Sequence, residues 1–108
     1  MSTRAMLLLP LLLCACSPSV ADARAPGGEL AGVYELGFER QTFRPCGSAE
    51  TWWVGSAPAS LQRGLGTRAY VRVKGTVGPR GSFGHMGRYP RQLQITRVVE
   101  DARGTDCP

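Results

Sequence analysis

His85 is the only histidine of this 108-residue chain, and Met86 follows it directly in Gly84-His85-Met86-Gly87. An imidazole and a thioether are both copper ligands. Adjacent residues of an extended chain point to opposite faces, so one ion could take both only at a turn. A third ligand would have to be a free cysteine or another methionine, and Met1 and Met6 lie in the leader discussed below. No metal and no cofactor are therefore expected. His85 reads as a loop residue whose ring hydrogen-bonds the backbone and closes a Gly-rich segment. Copper or redox handling by His85 and Met86 stands as the alternative. Hydrolytic chemistry would need His85 with Ser48, Ser56, Ser60 or Ser82, and none of these sits in a G-x-S-x-G elbow. Glu35, Glu39 and Glu50 are not spaced to set two carboxylates about a glycosidic bond. The chain is not expected to be an enzyme.

Trp52 and Trp53 are the other residues with binding chemistry. They are consecutive, so on a strand one faces the core and the other faces out. The outward ring either stacks on a ligand or covers the end of the fold, and the second use is favoured. Phe83 and Tyr89 could line the same surface, with His85 and Arg88 between them. This candidate binding surface is Trp52, Trp53, Phe83, His85, Arg88 and Tyr89. Thirteen basic residues against eight acidic ones give +5. Beyond residue 15 the basic residues are all arginine except Lys74. Such charge with aromatics can bind nucleic acid, but an exported domain meets anionic lipid and envelope polymer instead. No nucleic-acid partner is expected.

Export is read from the N-terminus. Met1 to Arg4 is a short basic region, and Ala5 to Leu13 is apolar apart from Pro10. That run is shorter than the roughly 20 residues a membrane span needs, and fits a secretory leader. It ends Leu13-Cys14-Ala15-Cys16, which resembles a bacterial lipobox. The resemblance implies cleavage after residue 15 and acylation of Cys16, palmitate included. Three acyl chains exceed what stable anchoring requires. Ser17 after the cysteine points to an outer-membrane lipoprotein facing the periplasm. Cleavage after Ala21 or Ala23, giving a soluble periplasmic protein, is the alternative. Residues 16–28 form a flexible tether of small residues and proline.

Cys46 and Cys107 remain. In an oxidising compartment two cysteines have one connectivity, so a Cys46–Cys107 disulfide is expected.

These residues must be positioned by strands. Past the leader, Leu, Ile, Val and Phe make up about 18% of the chain, close to the lower limit for a packed core. The folded domain, residues 29–108, starts with an alternating strand over Ala31–Glu39, with Tyr34, Leu36 and Phe38 inward. Arg44 to Ser48 reads as a turn, and Thr51–Val54 as a second strand. Pro58–Gly66, with Leu61 and Leu65 four apart, suggests a short helical turn. Ala69–Val77 is the clearest strand, with Gly75 at an inward place marking a bulge. Gly78–Arg91 is a Gly-rich loop, with a short strand expected within Gly81–Tyr89. Gln92–Glu100 alternates again, with Leu93, Ile95 and Val99 inward. Several short strands with one helical turn predict an all-β fold, a small closed five-stranded OB-like barrel. Closure leaves no edge to aggregate. A flattened sheet or incomplete sandwich is the alternative.

The segments TFRPCGSAETWWV, YVRVKG and LQITRVVEDARGTDC together resemble the C-terminal OB-fold domain of NlpE-type envelope lipoproteins. The similarity spans roughly residues 30 to 107 and rests on layout. It implies a disulfide-closed barrel and a role in the cell envelope. The companion domain with its Cys-x-x-Cys motif has no counterpart here. The expected function is a membrane-anchored lipoprotein with a binding or accessory role, toward an envelope protein or polymer. A purely structural lipoprotein is the further alternative.

Overall fold

The computed structural model describes residues 24–25, 28–63 and 67–108. The leader, Cys16 and most of the tether lie outside the described residues. Among the described residues six strands are present: β1 (Arg24–Ala25), β2 (Glu29–Gly37), β3 (Arg40–Pro45), β4 (Trp52–Ser56), β5 (Thr67–Val77) and β6 (Gln92–Arg103). The end of the expected tether is not all coil, because β1 pairs with Glu29 and Leu30.

β2 to β6 close on themselves. β2 lies between β3 and β5, antiparallel to both. β3 pairs with β4, β4 runs parallel to β6, and β6 returns to β5. The ring is the five-stranded OB-type barrel. Alternation sends Leu30, Tyr34, Phe43, Trp52, Val54, Val71, Val73, Leu93 and Ile95 into one interior cluster. Burial of the Tyr34 ring pushes its phenol above the usual range, partly offset by the hydrogen bond it accepts from Gln41 Nε2 at 3.0 Å.

Several expectations shift. The polar-looking stretch before Pro45 is a full strand, β3, because it has a partner on each side. Phe38 is not inward: it and Glu39 form the two-residue turn between β2 and β3, and Phe38 is 85% exposed. Glu39 adopts the left-handed conformation that turns the chain, at φ 54°. The described part of the β4–β5 connection contains turns rather than a helical turn, with Leu61 N–H donating to Pro58 O and Gln62 N–H to Ala59 O. Its Leu61 is fully buried and joins the interior cluster. Gly64, Leu65 and Gly66 lie outside the described residues. Among the described residues the one helical turn is a 3-10 turn at His85–Gly87.

The bulge expected at Gly75 is present, since the β5–β6 register slips between Lys74 and Gly75 and again between Arg72 and Val73. A side chain at Gly75 would strike the Gln94 carbonyl. Both slips leave an extra residue on β6, Thr96 and then Val99. The first flips the alternation, so Val98 turns inward opposite Val73, and the second leaves Val99 itself as the extra residue, 40% exposed instead of buried.

Cys46 and Cys107 form the disulfide. It draws residues 104–107 over the outer face of β2. Gly104 N–H bonds Arg68 O on β5, and Asp106 reaches Arg68 at 3.0 Å and Arg44 of β3 at 3.5 Å. A hydrogen bond from the Cys107 amide and one from Arg68 hold the Asp106 carboxyl below the usual range. Val33 points outward, beside Arg44, yet is only 3% exposed. It is buried outside the interior cluster, where the tail crosses the strand.

Candidate functional site

β4 separates the two tryptophans as alternation requires. Trp52 faces Phe43 inside the barrel, ring centroids 6.0 Å apart, and is 1% exposed. Its indole N–H donates to Glu50 Oε1 at 2.9 Å. That bond, followed by one from Arg80, lowers the Glu50 carboxyl below the ordinary range. Trp52 therefore drops out of the candidate binding surface: it is core, with its polar edge satisfied.

Trp53 faces out, next to Thr42 on β3. It does not lie open. Residues 78–91 fold back over it. The Tyr89 ring packs at 5.5 Å between centroids, tilted by 41°. The Gly84 backbone sits against the indole, and a Cβ there would overlap Trp53 Cδ2 and Cε3. Gly84 also has φ 74° and ψ −159°, a conformation essentially reserved for glycine. Thr42, on the same outward face, is only 4% exposed. The outer ring thus serves as the plate on which the loop rests.

The loop has its own ladder. Phe83 and Tyr89 exchange backbone bonds at 2.9 and 3.2 Å, so the expected short strand reduces to one bridge. Gly81 N–H bonds Pro90 O, and Arg91 Nη1 bonds Gly78 O at 3.0 Å. Between the bridged residues the chain makes the 3-10 turn, passing through left-handed Met86 at φ 62° and Gly87 at φ 63°. Phe83 and Tyr89 are half-buried, and His85 and Arg88 are exposed.

In place of the expected backbone group, the His85 ring meets a carboxylate: its Nε2 lies 3.4 Å from Glu39 Oε2 in the β2–β3 turn. This contact joins two loops far apart in sequence. Each carries an exposed apolar side chain next to the joined residue: Phe38, 85% exposed, and Met86, 72% exposed. Sequence reasoning placed Phe38 in the core and considered Met86 only as a ligand, so this pairing was missed. The missing signal was the turn itself, whose two central residues, Phe38 and Glu39, are neither glycine, asparagine nor proline.

The arrangement gives copper a thin donor set. Among the described residues no three His, Cys, Asp or Glu side chains stand together as a metal site. Cys46 and Cys107 have no thiol to offer. Two of the four candidate serines have other partners: Ser56 Oγ donates to Gln94 and Ser48 Oγ accepts from Glu50 N–H.

What the fold and site define is a small disulfide-closed OB-type barrel whose outer tryptophan carries a structured loop and, beside it, an apolar tip. Comparison with protein-family models, curated proteins and solved structures finds no match to this chain.

Proposed function

We propose that this chain is a membrane-anchored, periplasm-facing lipoprotein of the outer membrane, held by acylated Cys16, with a binding role in the cell envelope. Its contact surface is the tip made by Phe38 and Met86, flanked by His85, Arg88, Tyr89 and Phe83. One observation carries this reading. Two of the largest exposed apolar side chains sit on two different loops that the Glu39–His85 contact joins, one of them seated on Trp53. Exposed apolar groups gathered at one place mark a contact surface more often than a neutral one. The layout resemblance to the C-terminal domain of NlpE-type lipoproteins points the same way. The partner chemistry that fits is an envelope protein with a small apolar recess and an acidic rim for Arg88.

The test is photo-crosslinking in intact cells, with a diazirine amino acid at position 38 or 86 and, as a control, at exposed Thr105. A protease-sensitive adduct from 38 and 86 but not 105 supports the reading. An adduct released by glycan hydrolases would replace the protein partner with an envelope polymer. No adduct at either position would leave a structural lipoprotein. The anchor is tested separately, by intact mass from the membrane fraction: a lipid-modified chain starting at Cys16 is expected.

A further inference from the structure

Six of the seven acidic residues among the described ones pair with arginine, namely Glu29, Glu35, Glu50, Glu100, Asp101 and Asp106, while Glu39 lies 3.4 Å from His85 Nε2. The cationic surplus therefore falls on particular residues. On the outward face of the β5–β6 ribbon, the rung Arg72–Glu100 is satisfied, with Arg72 bonding Glu100 at 2.8 Å and Glu29 at 3.2 Å. The next outward rung sets Lys74 opposite Arg97. Both are exposed, and no carboxylate among the described residues pairs with either. The nearest in register, Glu29, is committed to Arg72. Like charges directly opposed on a ladder weaken it. The β6 bulge nonetheless holds this rung in place, with Thr96 Oγ1 donating to Lys74 O at 3.1 Å.

The position of the rung matters as much as its charge. Leu30 pairs with Val73, so Lys74 lies beside Glu29, where the chain enters the barrel. Seven residues, 17–23, separate Cys16 from β1, which pairs beside that entrance. As coil they would span roughly 15 Å, which keeps this end near the anchor. The Phe38 turn is at the other end of β2.

We infer that Lys74 and Arg97 face the bilayer to which the chain is tethered and pair with anionic lipid headgroups. The inference rests on the anchor reading above. The headgroup phosphates supply the counter-charge the fold withholds, and the barrel is thereby oriented with its apolar tip away from its own membrane. Two cations near an anionic surface act over about one Debye length, so the orientation weakens with salt.

Lys74 is the only lysine of the chain, which makes the test direct. The full protein, extracted from membranes, is added to preformed vesicles of phosphatidylcholine alone or with a third phosphatidylglycerol. Acylation of the Lys74 amine by a membrane-impermeant ester is then followed by peptide mass spectrometry. The rate is expected to fall on the anionic vesicles, by up to about 30-fold for two cations. The difference should vanish at about 1 M salt, where screening acts within about 3 Å, and shrink in Arg97→Gln. Equal rates on both vesicles overturn the inference. Flotation with the neutral vesicles reads the anchor independently. A chain that does not float there refutes the anchor, while the ratio of the two acylation rates still decides the role of the Lys74–Arg97 rung.

Discussion

Removing the Cys46–Cys107 disulfide should cost this barrel a large part of its stability. The cysteines are 61 residues apart. Closing a loop of that size in the unfolded chain amounts to about 4 kcal/mol on the chain-entropy account. Whole domains hold only about 5–15 kcal/mol, so the loss takes a sizeable share. For a domain of this length it corresponds to a melting temperature lower by roughly 15–30 °C. The perturbation is the double variant Cys46→Ser with Cys107→Ser, which leaves no lone thiol behind. Cys14 and Cys16, where present, are blocked in both proteins. The assay is urea unfolding followed by near-UV circular dichroism, with heat melts alongside. The native side of the effect is separable. Asp106→Asn weakens the ties to Arg44 and Arg68 with the bond intact, and these partners are exposed, so only a small change is expected. Hydrogen exchange adds a local reading: without the bond, the amides around Val33 should lose protection before those of β5, because the tail covers the outer face of β2. A loss below about 1 kcal/mol in the double variant would refute the reasoning. So would an Asp106→Asn loss as large as that of the double variant, because stabilisation would then come from tail contacts and not from the closed loop.

Other perturbations probe the core and the loop. Gly84→Ala forces a side chain into the Trp53 ring and a glycine-only conformation, at a cost of about 1–3 kcal/mol for the backbone alone. The loop should lift, raising acrylamide quenching of tryptophan fluorescence, since Trp52 stays buried; unchanged quenching would mean that the loop does not rest on Trp53. Leu61→Ala removes the one buried side chain described between β4 and β5 and should cost about 2–5 kcal/mol in denaturant unfolding. A near-neutral result would show that the β4–β5 connection does not seal the barrel. Glu50 has a lowered folded pKa, so its ionised form contributes stability above its unfolded value, and this is lost as pH falls through the folded one. Melting temperature should drop from about pH 5 toward pH 2, and less steeply in Glu50→Gln; parallel curves for the two proteins would count against the Trp52 and Arg80 bonds.

The parts of the fold that could be read from sequence are those where alternation is uninterrupted. Tyr70 to Val77 carries a valine at each inward place, Val71 and Val73, until Gly75, and the glycine itself announces the bulge. β3 was invisible because Gln41, Thr42 and Arg44 surround a single large apolar residue, Phe43. Its strand character comes from pairing with β2 and β4, which no local pattern records. Phe38 continues the Tyr34–Leu36 rhythm and so looks internal, but the chain reverses there through Glu39. Val99 misleads in the same manner, because two bulges shift the phase of β6. At the candidate site, Trp53, Phe83, Tyr89 and His85 could be named from their types. That the Gly-rich loop folds back onto Trp53, and that Glu39 is the partner of His85, depends on contacts 31 and 46 residues apart, from Gly84 to Trp53 and from His85 to Glu39.

The same contacts explain why an exposed phenylalanine and methionine are better suited to binding here than on an unrestrained loop. A mobile loop must be ordered on association, at about 0.5–1.5 kcal/mol for each flexible side chain, besides its backbone. Here the ordering is largely done beforehand. β4 fixes Trp53 through its pairing with β3 and β6, and Gly84 and Tyr89 seat the loop on that ring. The Phe83–Tyr89 bridge closes the loop, and Glu39 ties it to the β2–β3 turn. The turn spans only two residues between paired Gly37 and Arg40, so Phe38 has little backbone freedom left. The Glu39–His85 contact is the exposed and therefore weakest member of this series. Glu39→Gln should accordingly loosen the relation between Phe38 and Met86 while leaving the seat on Trp53 intact. If crosslinking from both positions falls in Glu39→Gln with tryptophan quenching unchanged, the two loops act as one surface. If crosslinking persists undiminished, each apolar residue makes its contact alone and the Glu39–His85 contact has no part in recognition.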